Sequence, residues 1–218
     1  MAGVFITFEG IDGCGKSTQL RLLASELRVR GIDVVTTREP GGTTLGLKLR
    51  AALLDVQEQV DPLAELLVFA ADRAQHVRTL LRPPLAAGKV VMSDRYADAT
   101  VAYQGSGRGF APELIDEIVQ LATEGLKPDL TLLFDLSVPE SAVRTRRRNK
   151  AKHSDRLDRE HQEFHARVRE AYLDIAKANP DRVRLIDARG PVQETHEEVM
   201  RIVMPFLEER GVIAIMGQ

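Results

Sequence analysis

The segment at 10–17, which reads Gly-Ile-Asp-Gly-Cys-Gly-Lys-Ser, constrains the fold of this chain more than any other stretch. It matches the phosphate-binding pattern G-x-x-x-x-G-K-S/T, in which main-chain N–H groups surround a phosphate. An apolar run at 4–8 comes just before it and indicates a buried strand. A helical stripe follows it, made of Leu20, Leu23, Ala24 and Leu27. This order of strand, loop and helix favours a phosphate-binding loop over a glycine-rich turn that matches the pattern by chance.

Two side chains of this segment suit a nucleotide and its metal ion. The ammonium group of Lys16 is placed to reach the outer phosphates, and the hydroxyl of Ser17 is placed to hold Mg²⁺. The glycines lack a Cβ atom, so the backbone can wrap closely around an anion. The dipole of the following helix adds a favourable interaction with negative charge at its N-terminus.

The composition of the 218-residue chain is that of a globular protein, and we expect residues 1–218 to form a single domain. The formal net charge of −2 gives no reason to expect nonspecific binding to nucleic acid or to a membrane surface. The sequence has no apolar run of about 18 residues and no signal-peptide pattern, so we expect a cytoplasmic protein. Its one cysteine, Cys14, excludes an intrachain disulfide and fits a reducing compartment.

Apolar runs that read as β-strands alternate with segments of helical spacing. The runs lie at 4–9, 32–37, 89–93, 130–136 and 183–187. The alternation predicts an α/β fold with right-handed crossovers, in which helices flank both faces of a parallel five-stranded sheet. Ligands bind at the carboxyl ends of such strands. The polar residues at these ends are therefore candidates for a site: Asp12, Arg38, Glu39, Asp94 and Arg95.

The helix that follows the second strand has two distinct faces. Phe69 and Arg73 lie four residues apart on one of them. The other is an apolar stripe made of Leu63, Leu66, Leu67, Ala70 and Ala74. The last helix, at 192–209, has the spacing of a core element.

A shorter helix is predicted at 96–104. Its Thr100, Tyr103 and Gln104 share one face through spacings of three and four residues. The helix is expected to end in the glycine-rich stretch at 105–109, because glycines interrupt helices.

Seven short motifs occur along the chain, and together they are more specific than the phosphate loop alone. The motifs are Phe8-Glu9-Gly10-Ile11-Asp12-Gly13, Gly15-Lys16-Ser17-Thr18-Gln19, Thr37-Arg38-Glu39-Pro40-Gly41-Gly42-Thr43, Asp94-Arg95-Tyr96, Ala102-Tyr103-Gln104-Gly105, Lys127-Pro128-Asp129-Leu130-Thr131 and Asp155-Arg156-Leu157-Asp158. In their identity and order they resemble the motifs of bacterial thymidylate kinases.

The resemblance implies the fold and the activity of a P-loop nucleoside-monophosphate kinase. It implies a core, a monophosphate-binding region, a mobile lid at about 144–159 and a homodimer. The implied reaction is the Mg²⁺-dependent transfer of the γ-phosphoryl group of ATP to dTMP, which gives dTDP and ADP in dTTP biosynthesis. Two alternatives stay open: a kinase for another nucleoside monophosphate or for a deoxynucleoside, and a nucleotide-dependent switch that hydrolyses ATP slowly.

Roles for the residues around the phosphates follow from the same resemblance. Asp94 ends a strand as the magnesium-side carboxylate of such enzymes does, and with Ser17 it forms the implied metal site. Arg95 is expected to grip the acceptor phosphate with its guanidinium group. Asp12 is expected to orient arginines or to contact the substrate sugar, although it also fits a helix cap. The implied ATP-binding residues are Gly10, Ile11, Asp12, Gly13, Cys14, Gly15, Lys16, Ser17 and Thr18.

A second set of residues is implied to hold dTMP. Phe69 is expected to stack on the base and Arg73 to donate to a base carbonyl, while Tyr103 crowds the sugar 2′ position. Thr100 or Gln104 is expected to satisfy the remaining edge of the base. The full set is Glu39, Arg50, Phe69, Arg73, Arg95, Thr100, Tyr103 and Gln104.

The lid is expected to supply positive charge to the transferring phosphoryl group, because the phosphate loop itself has no arginine. Arg148 and Arg156 are the candidates, and they complete a catalytic set with Asp12, Lys16 and Arg95. A solvated basic helix is the alternative for most of the lid arginines. For Cys14 the sequence suggests the hypothesis of a redox-sensitive thiol. The His161 and His165 pair is interpreted as part of a solvated helix face rather than as a zinc site.

Overall fold

The computed structural model describes residues 3–56, 58–149, 156–157 and 160–213, and for residues 148 and 149 it describes only the backbone. The strands are β1 Val4–Glu9, β2 Val34–Arg38, β3 Val90–Asp94, β4 Leu130–Asp135 and β5 Val183–Asp187. They form one parallel sheet in the order β2-β3-β1-β4-β5. The predicted α/β class and the five-stranded parallel sheet are therefore confirmed.

Helices connect the strands and cover both faces of the sheet. They are α1 Lys16–Val29, α2 Thr44–Leu54, α3 Pro62–His76, α4 Arg82–Ala86, α5 Ala97–Thr100, α6 Pro112–Thr123, α7 Val138–Asn149, α8 Gln162–Ala178 and α9 Val192–Glu209. Wider π-helical turns at Val77–Leu81 and Val101–Gly107 continue α3 and α5. Among the described residues, no helix combines the length and the apolar character needed to cross a membrane.

Alternating side chains of β1 pack against two different layers of helices. Ile6 and Phe8 belong to a buried cluster with Leu23 of α1 and Val203 of α9. Phe5 points to the other face, where it packs in a second cluster beside the π-helical turn after α3. This alternation follows from the two-residue period of a strand, and it produces the three layers that the sequence predicts.

The predicted strand boundaries differ from the observed ones by at most two residues. β1 and β5 begin and end as predicted, whereas β2 begins at Val34 rather than at 32. The later start follows from Gly31, whose φ of 78° belongs to the turn after α1. β2 and β3 each extend one residue further than predicted, because Arg38 and Asp94 pair at the carboxyl ends of these two strands.

The structure corrects one helix prediction and bears out another. On α3 the outer part of the apolar stripe is exposed, since Leu63 and Leu67 are 46% and 52% accessible, and a polar row is buried instead. The helix predicted at 96–104 begins at Ala97 and ends at Gly107, within the glycine-rich stretch at 105–109 where its end was predicted. A Cβ atom on Gly107 would lie 2.8 Å from the Phe164 ring of α8, so this glycine also permits close packing of the two helices.

Candidate functional site

The loop at 10–17 joins β1 to α1 at the carboxyl edge of the sheet. Gly13 and Gly15 have φ values of 77° and 100°, a region of backbone conformation that favours glycine. The Lys16 ammonium group crosses the loop and donates to the Gly10 and Ile11 carbonyl oxygens at 2.8 and 2.9 Å. Charge and main-chain N–H groups therefore meet at the start of α1, where an anion is favoured.

The two residues predicted to hold a metal ion lie in contact. The Ser17 hydroxyl donates to a carboxylate oxygen of Asp94, and Asp94 ends β3 opposite Phe8 of β1. Mg²⁺ prefers oxygen ligands and is often held by one or two protein groups together with substrate phosphates. A hydroxyl and a carboxylate beside a phosphate-binding loop fit that preference.

Arg95 connects the phosphate loop to the neighbouring cleft. Its φ of 75° turns the chain sharply after β3, at an expense of about 1–3 kcal/mol for a residue with a side chain. Its Nη1 donates to the Gly10 carbonyl oxygen at 3.1 Å, and its Nη2 donates to Asp12 Oδ1 and to the Tyr103 hydroxyl, each at 3.0 Å. The Tyr103 hydroxyl in turn donates to Asp12 Oδ2 at 3.2 Å. Asp12 therefore orients an arginine, and it does not cap α1.

A buried carboxyl group lies behind Arg95. Arg95 Nη1 donates to the Tyr172 hydroxyl at 3.3 Å, and this hydroxyl donates to Glu9 Oε2 at 2.7 Å. The other oxygen of Glu9 accepts the Tyr96 main-chain N–H. Burial, followed by repulsion from Asp98, raises the pKa of Glu9 to about 8. No role for Glu9 or Tyr172 follows from the sequence, because tertiary packing alone places both beside the arginine.

A cleft of about 540 Å³ opens next to the phosphate loop. Seven of the eight residues predicted to bind dTMP lie on its wall, and Thr100 does not. The lining residues are Asp12, Glu39, Pro40, Arg50, Leu54, Phe69, Arg73, Arg95, Ala99, Tyr103, Gln104 and Leu157. Arg95 thus borders both the loop and the cleft.

Arg73 is held in place by three acceptors. Its Nε donates to Glu39 Oε2 at 2.7 Å, Nη1 to Thr100 Oγ1 at 2.7 Å, and Nη2 to the Tyr96 carbonyl oxygen at 2.9 Å. Thr100 therefore lies behind Arg73 and positions it. Although burial alone raises the pKa of Glu39, the charge of Arg73 and a hydrogen bond from His76 lower it below its usual value.

His76 and Asp72 complete a polar layer beneath the loop that contains Glu39. His76 Nδ1 lies 2.7 Å from Glu39 Oε1, and its Nε2 lies 2.7 Å from Thr37 Oγ1. Asp72 Oδ1 accepts the Gly41 main-chain N–H at 3.2 Å. Burial and the charge of Glu39 raise the pKa of Asp72 to about 6.

Gln104 contacts a buried ionic cluster on the far side of the cleft. Its Nε2 donates to Glu65 Oε1 at 2.8 Å, and Glu65 also accepts from Arg108 and Arg156. Arg156 further donates to the Leu53 carbonyl oxygen at 3.1 Å. The structure therefore places this predicted catalytic arginine beside the cleft, on Glu65. The side chain of Arg148, the other lid candidate, lies outside the described residues, as do positions 150–155 and 158–159 of the predicted lid.

Helix α7, where the predicted lid begins, packs directly on the phosphate loop. The Ser141 hydroxyl donates to the Asp12 carbonyl oxygen at 2.6 Å, and a Cβ atom on Gly13 would lie 2.9 Å from Thr145 Oγ1. Arg144 donates to the Ala188 carbonyl oxygen at 2.9 Å, in the turn after β5. A larger residue at position 13 would therefore displace α7.

The side chain of Cys14 points into the core and is only 2% accessible. This position argues against the predicted redox role, because a buried thiol is poorly accessible to oxidants. His161 is exposed and directly precedes α8. The described residues contain no group of three or more side chains suited to a metal ion at this or any other position.

The polar residues of α3 that face the site were not predicted, although the sequence contains a signal for them. Glu65, Phe69, Asp72 and His76 recur at spacings of four, three and four residues, which is the repeat of one helix face. The pattern is mostly polar, and polar rows on helices usually face solvent. Glu65, Asp72 and His76 are nevertheless buried, because each has a partner inside the site. Glu65 pairs with Arg108 and Arg156, Asp72 accepts the Gly41 main-chain N–H, and His76 contacts Glu39.

Comparison with known proteins gives one consistent result. A family model described as thymidylate kinase matches residues 8–199. The thymidylate kinase of Nitratidesulfovibrio vulgaris is 49% identical over 209 residues, which are 94% of this chain and 97% of that protein. The thymidylate kinase of Pelobacter propionicus is 48% identical over 206 residues, 93% of this chain and 94% of that protein.

A solved structure is similar in fold as well as in sequence. The crystal structure of thymidylate kinase from Ehrlichia chaffeensis aligns with a TM-score of 0.77 and 36% identity, covering 94% of this chain and 100% of that one. The motifs, the fold and the full-length similarity agree. This chain belongs to the thymidylate kinase family of phosphotransferases.

Proposed function

We propose that this chain transfers the γ-phosphoryl group of ATP to dTMP, with ATP on the loop at 10–17 and dTMP in the adjoining cleft. The contacts of Arg95 are the observation that carries the proposal. One nitrogen of its guanidinium donates to the Gly10 carbonyl oxygen of the loop, and the other to Asp12 and Tyr103 on the cleft wall. A phosphate held by Arg95 would lie at the junction where donor and acceptor meet.

Phosphoryl transfer requires mainly that the two substrates be aligned and their negative charge neutralised. Lys16 and the main-chain N–H groups of the loop supply this for ATP, and Arg95 supplies it for the acceptor phosphate. Asp12 and Tyr103 hold Arg95 in one orientation, which reduces the entropy lost when the phosphate binds. Ser17 and Asp94 are the proposed protein contacts of Mg²⁺, which would neutralise charge on the ATP phosphates.

The proposed base contacts follow the arrangement of the cleft wall. Phe69 offers a ring for stacking, and Arg73 offers donors to a base carbonyl. Thr100 contributes through its hydrogen bond to Arg73 at 2.7 Å, and it does not line the cleft. Glu39, Arg50 and Tyr103 also line the cleft, and the Tyr103 hydroxyl accepts a hydrogen bond from Arg95.

Arg148 is the stronger of the two predicted lid arginines. Arg156 donates to the buried carboxylate of Glu65 and to the Leu53 carbonyl oxygen, and these contacts already engage its guanidinium group. Replacement of Arg148 by Gln is expected to lower kcat by about 10²–10³-fold, the loss typical when one donor to the transition state is removed. Replacement of Arg156 by Gln is expected to raise the KM for dTMP. The reverse pattern would make Arg156 the catalytic lid residue.

The proposal includes a homodimer, which the family resemblance implies. Its support is an apolar surface on two helices that pack side by side, α3 and α6. Leu67 is 52% accessible on α3, and Leu121 is 81% accessible on α6. Light scattering coupled to size exclusion is expected to give twice the chain mass for the wild type and for Leu185→Glu, a control at 50% accessibility on β5. Leu67→Glu is expected to have the mass of a monomer. A dimer in this variant would exclude the α3–α6 surface as the dimer interface.

A coupled assay of ADP release tests the reaction itself. The acceptors are dTMP, dUMP, GMP and thymidine at saturating ATP, and dTMP is expected to give the highest kcat/KM. Replacement of Arg95 by Ala is expected to lower the dTMP-dependent rate by about 10²–10³-fold. ADP release that needs no acceptor and is unaffected in Arg95→Ala would indicate an ATP-hydrolysing switch instead.

A further inference from the structure

We propose that Glu65 determines the pyrimidine specificity of the acceptor site by fixing the orientation of the Gln104 side-chain amide. The inference rests on the proposed function, because it takes the cleft to be the site of the dTMP base. It concerns a residue of α3 that does not line the cleft. Glu65 would act through Gln104 and is therefore a positioning residue.

Glu65 is a fully buried carboxylate with cationic partners. Its side chain is 0% accessible, and it accepts from Arg108 Nη2 at 2.9 Å and from Arg156. Burial alone raises the pKa of this carboxyl group, but hydrogen bonds from Arg108, Arg156 and Gln104 lower it below its usual value. Glu65 is thus ionised at neutral pH, and an ionised carboxylate can only accept hydrogen bonds.

The charge on Glu65 leaves one orientation for the amide of Gln104. Its NH₂ group must point to Glu65 Oε1, at 2.8 Å, because an amide oxygen there would meet a second acceptor. The amide oxygen of Gln104 then points away from Glu65. Among the described residues, Thr145 Oγ1 is the one fully buried side-chain polar atom without a partner. Gln104 Oε1 also accepts no hydrogen bond from the described residues, but it is not among the fully buried atoms. It is therefore exposed at the surface of the cleft, which Gln104 lines.

The cleft therefore presents a donor from Arg73 and an acceptor from Gln104. The edge of thymine offers the opposite pattern, with the O4 acceptor next to the N3–H donor. Cytosine offers a donor at N4 and an acceptor at N3. Cytosine would place donor against donor and acceptor against acceptor, and such unpaired polar groups are what make hydrogen-bonding pockets selective. A reversed Gln104 amide would remove half of this discrimination.

The test measures the ratio of kcat/KM for dTMP to kcat/KM for dCMP at high enzyme concentration. Glu65→Gln keeps the shape of the side chain but can donate as well as accept, so the Gln104 amide can reverse. The ratio is expected to fall about tenfold, which corresponds to about 1.4 kcal/mol. Arg108→Gln is the matched control, because it breaks the same ionic cluster but leaves the carboxylate facing Gln104. Its ratio is expected to stay within about twofold of wild type.

A double-mutant cycle distinguishes this role from a purely structural one. Gln104→Met removes the acceptor, and in this background Glu65→Gln is expected to have no further effect on the ratio. A wild-type ratio in Glu65→Gln, or an equal fall in Arg108→Gln, would overturn the inference. Should Glu65→Gln not fold, proton NMR of the wild-type dTMP complex decides. A dTMP N3–H that is protected from exchange, and loses protection in Gln104→Met, supports the inference, and an unprotected N3–H overturns it.

These outcomes are separate from those that test the proposed function. A wild-type enzyme that phosphorylates no dTMP would contradict the proposed function before any variant is made. A wild-type enzyme that phosphorylates dTMP, together with a Glu65→Gln variant of unchanged selectivity, would contradict only the role of Glu65.

Discussion

Replacement of Glu39 by Gln tests whether the buried pair beneath the cleft holds Arg73 in place. The Arg73 Nε to Glu39 Oε2 distance is 2.7 Å, and both side chains are 3% accessible. The substitution keeps the size of the side chain and removes its charge, so the guanidinium stays buried without a counter-ion. Breaking a buried pair in this way destabilises a protein by about 3–5 kcal/mol. For a chain of this size, that corresponds to a fall in Tm of about 6–20 °C.

Glu124→Gln is the matched control. Glu124 pairs with Arg78 on the surface, where the side chains are 37% and 69% accessible. Solvent and salt screen such a pair, so its loss is expected to destabilise by at most about 1 kcal/mol. Urea or thermal unfolding measures both variants. A loss of stability in Glu39→Gln no larger than in Glu124→Gln would show that Glu39 does not hold Arg73 in place.

The pH dependence of the same pair gives a second measurement. The pKa of Glu39 in the folded protein is lowered below its usual value of 4.5. Its contribution to stability is therefore complete above pH 4.5 and is lost as the pH falls through the folded-state pKa. The difference in unfolding free energy between wild type and Glu39→Gln is expected to shrink in acid. A difference that stays constant or grows as the pH falls would mean that Glu39 is not stabilised in its charged form.

Three further predictions concern the phosphate side of the site. Lys16→Ala is expected to lower kcat by about 10²–10³-fold with an unchanged circular dichroism spectrum, and near-normal turnover would count against the active-site assignment. Tyr172→Phe removes the hydroxyl between Arg95 and Glu9, and we expect a loss of about 1–3 kcal/mol in urea unfolding together with a raised KM for dTMP; unchanged values would show that this hydroxyl positions nothing. The pKa of Glu9 is about 8 against 4.5 for the ordinary group, so the folded state keeps a proton that the unfolded state loses between these values. Wild-type stability is therefore expected to fall, relative to Glu9→Gln, by up to about 1.4 kcal/mol per pH unit as the pH rises through this range, and parallel profiles would contradict the raised pKa.

Local signals were sufficient to predict the phosphate loop and the strands. Gly13, Gly15 and Lys16 lie in one contiguous segment, and the strand before it is mostly apolar, so neighbouring residues carry the information. The parallel sheet followed from the regular alternation of strands with helices. The extra residues at the carboxyl ends of β2 and β3 came from pairing, since Arg38 lies opposite Asp94.

The parts of the site that depend on tertiary contacts were not predictable in the same way. The apolar stripe of α3 suggested that Leu63 and Leu67 face the core, yet the structure buries Glu65, Asp72 and His76. A polar row is stable in the interior only when hydrogen-bonding or charged partners from other elements meet it. For Glu65 these partners, Arg108 and Arg156, lie 43 and 91 residues away in sequence. No local pattern encodes such pairs.

The most direct test of the proposed arrangement is a crystal structure with dTMP and a non-hydrolysable ATP analogue bound together. We expect the phosphates of the analogue on the loop at 10–17, and the dTMP phosphate on the Arg95 guanidinium, with the base between Phe69 and Arg73. A dTMP molecule bound outside this cleft, or bound with its phosphate directed away from the loop, would contradict the assignment of donor and acceptor sites.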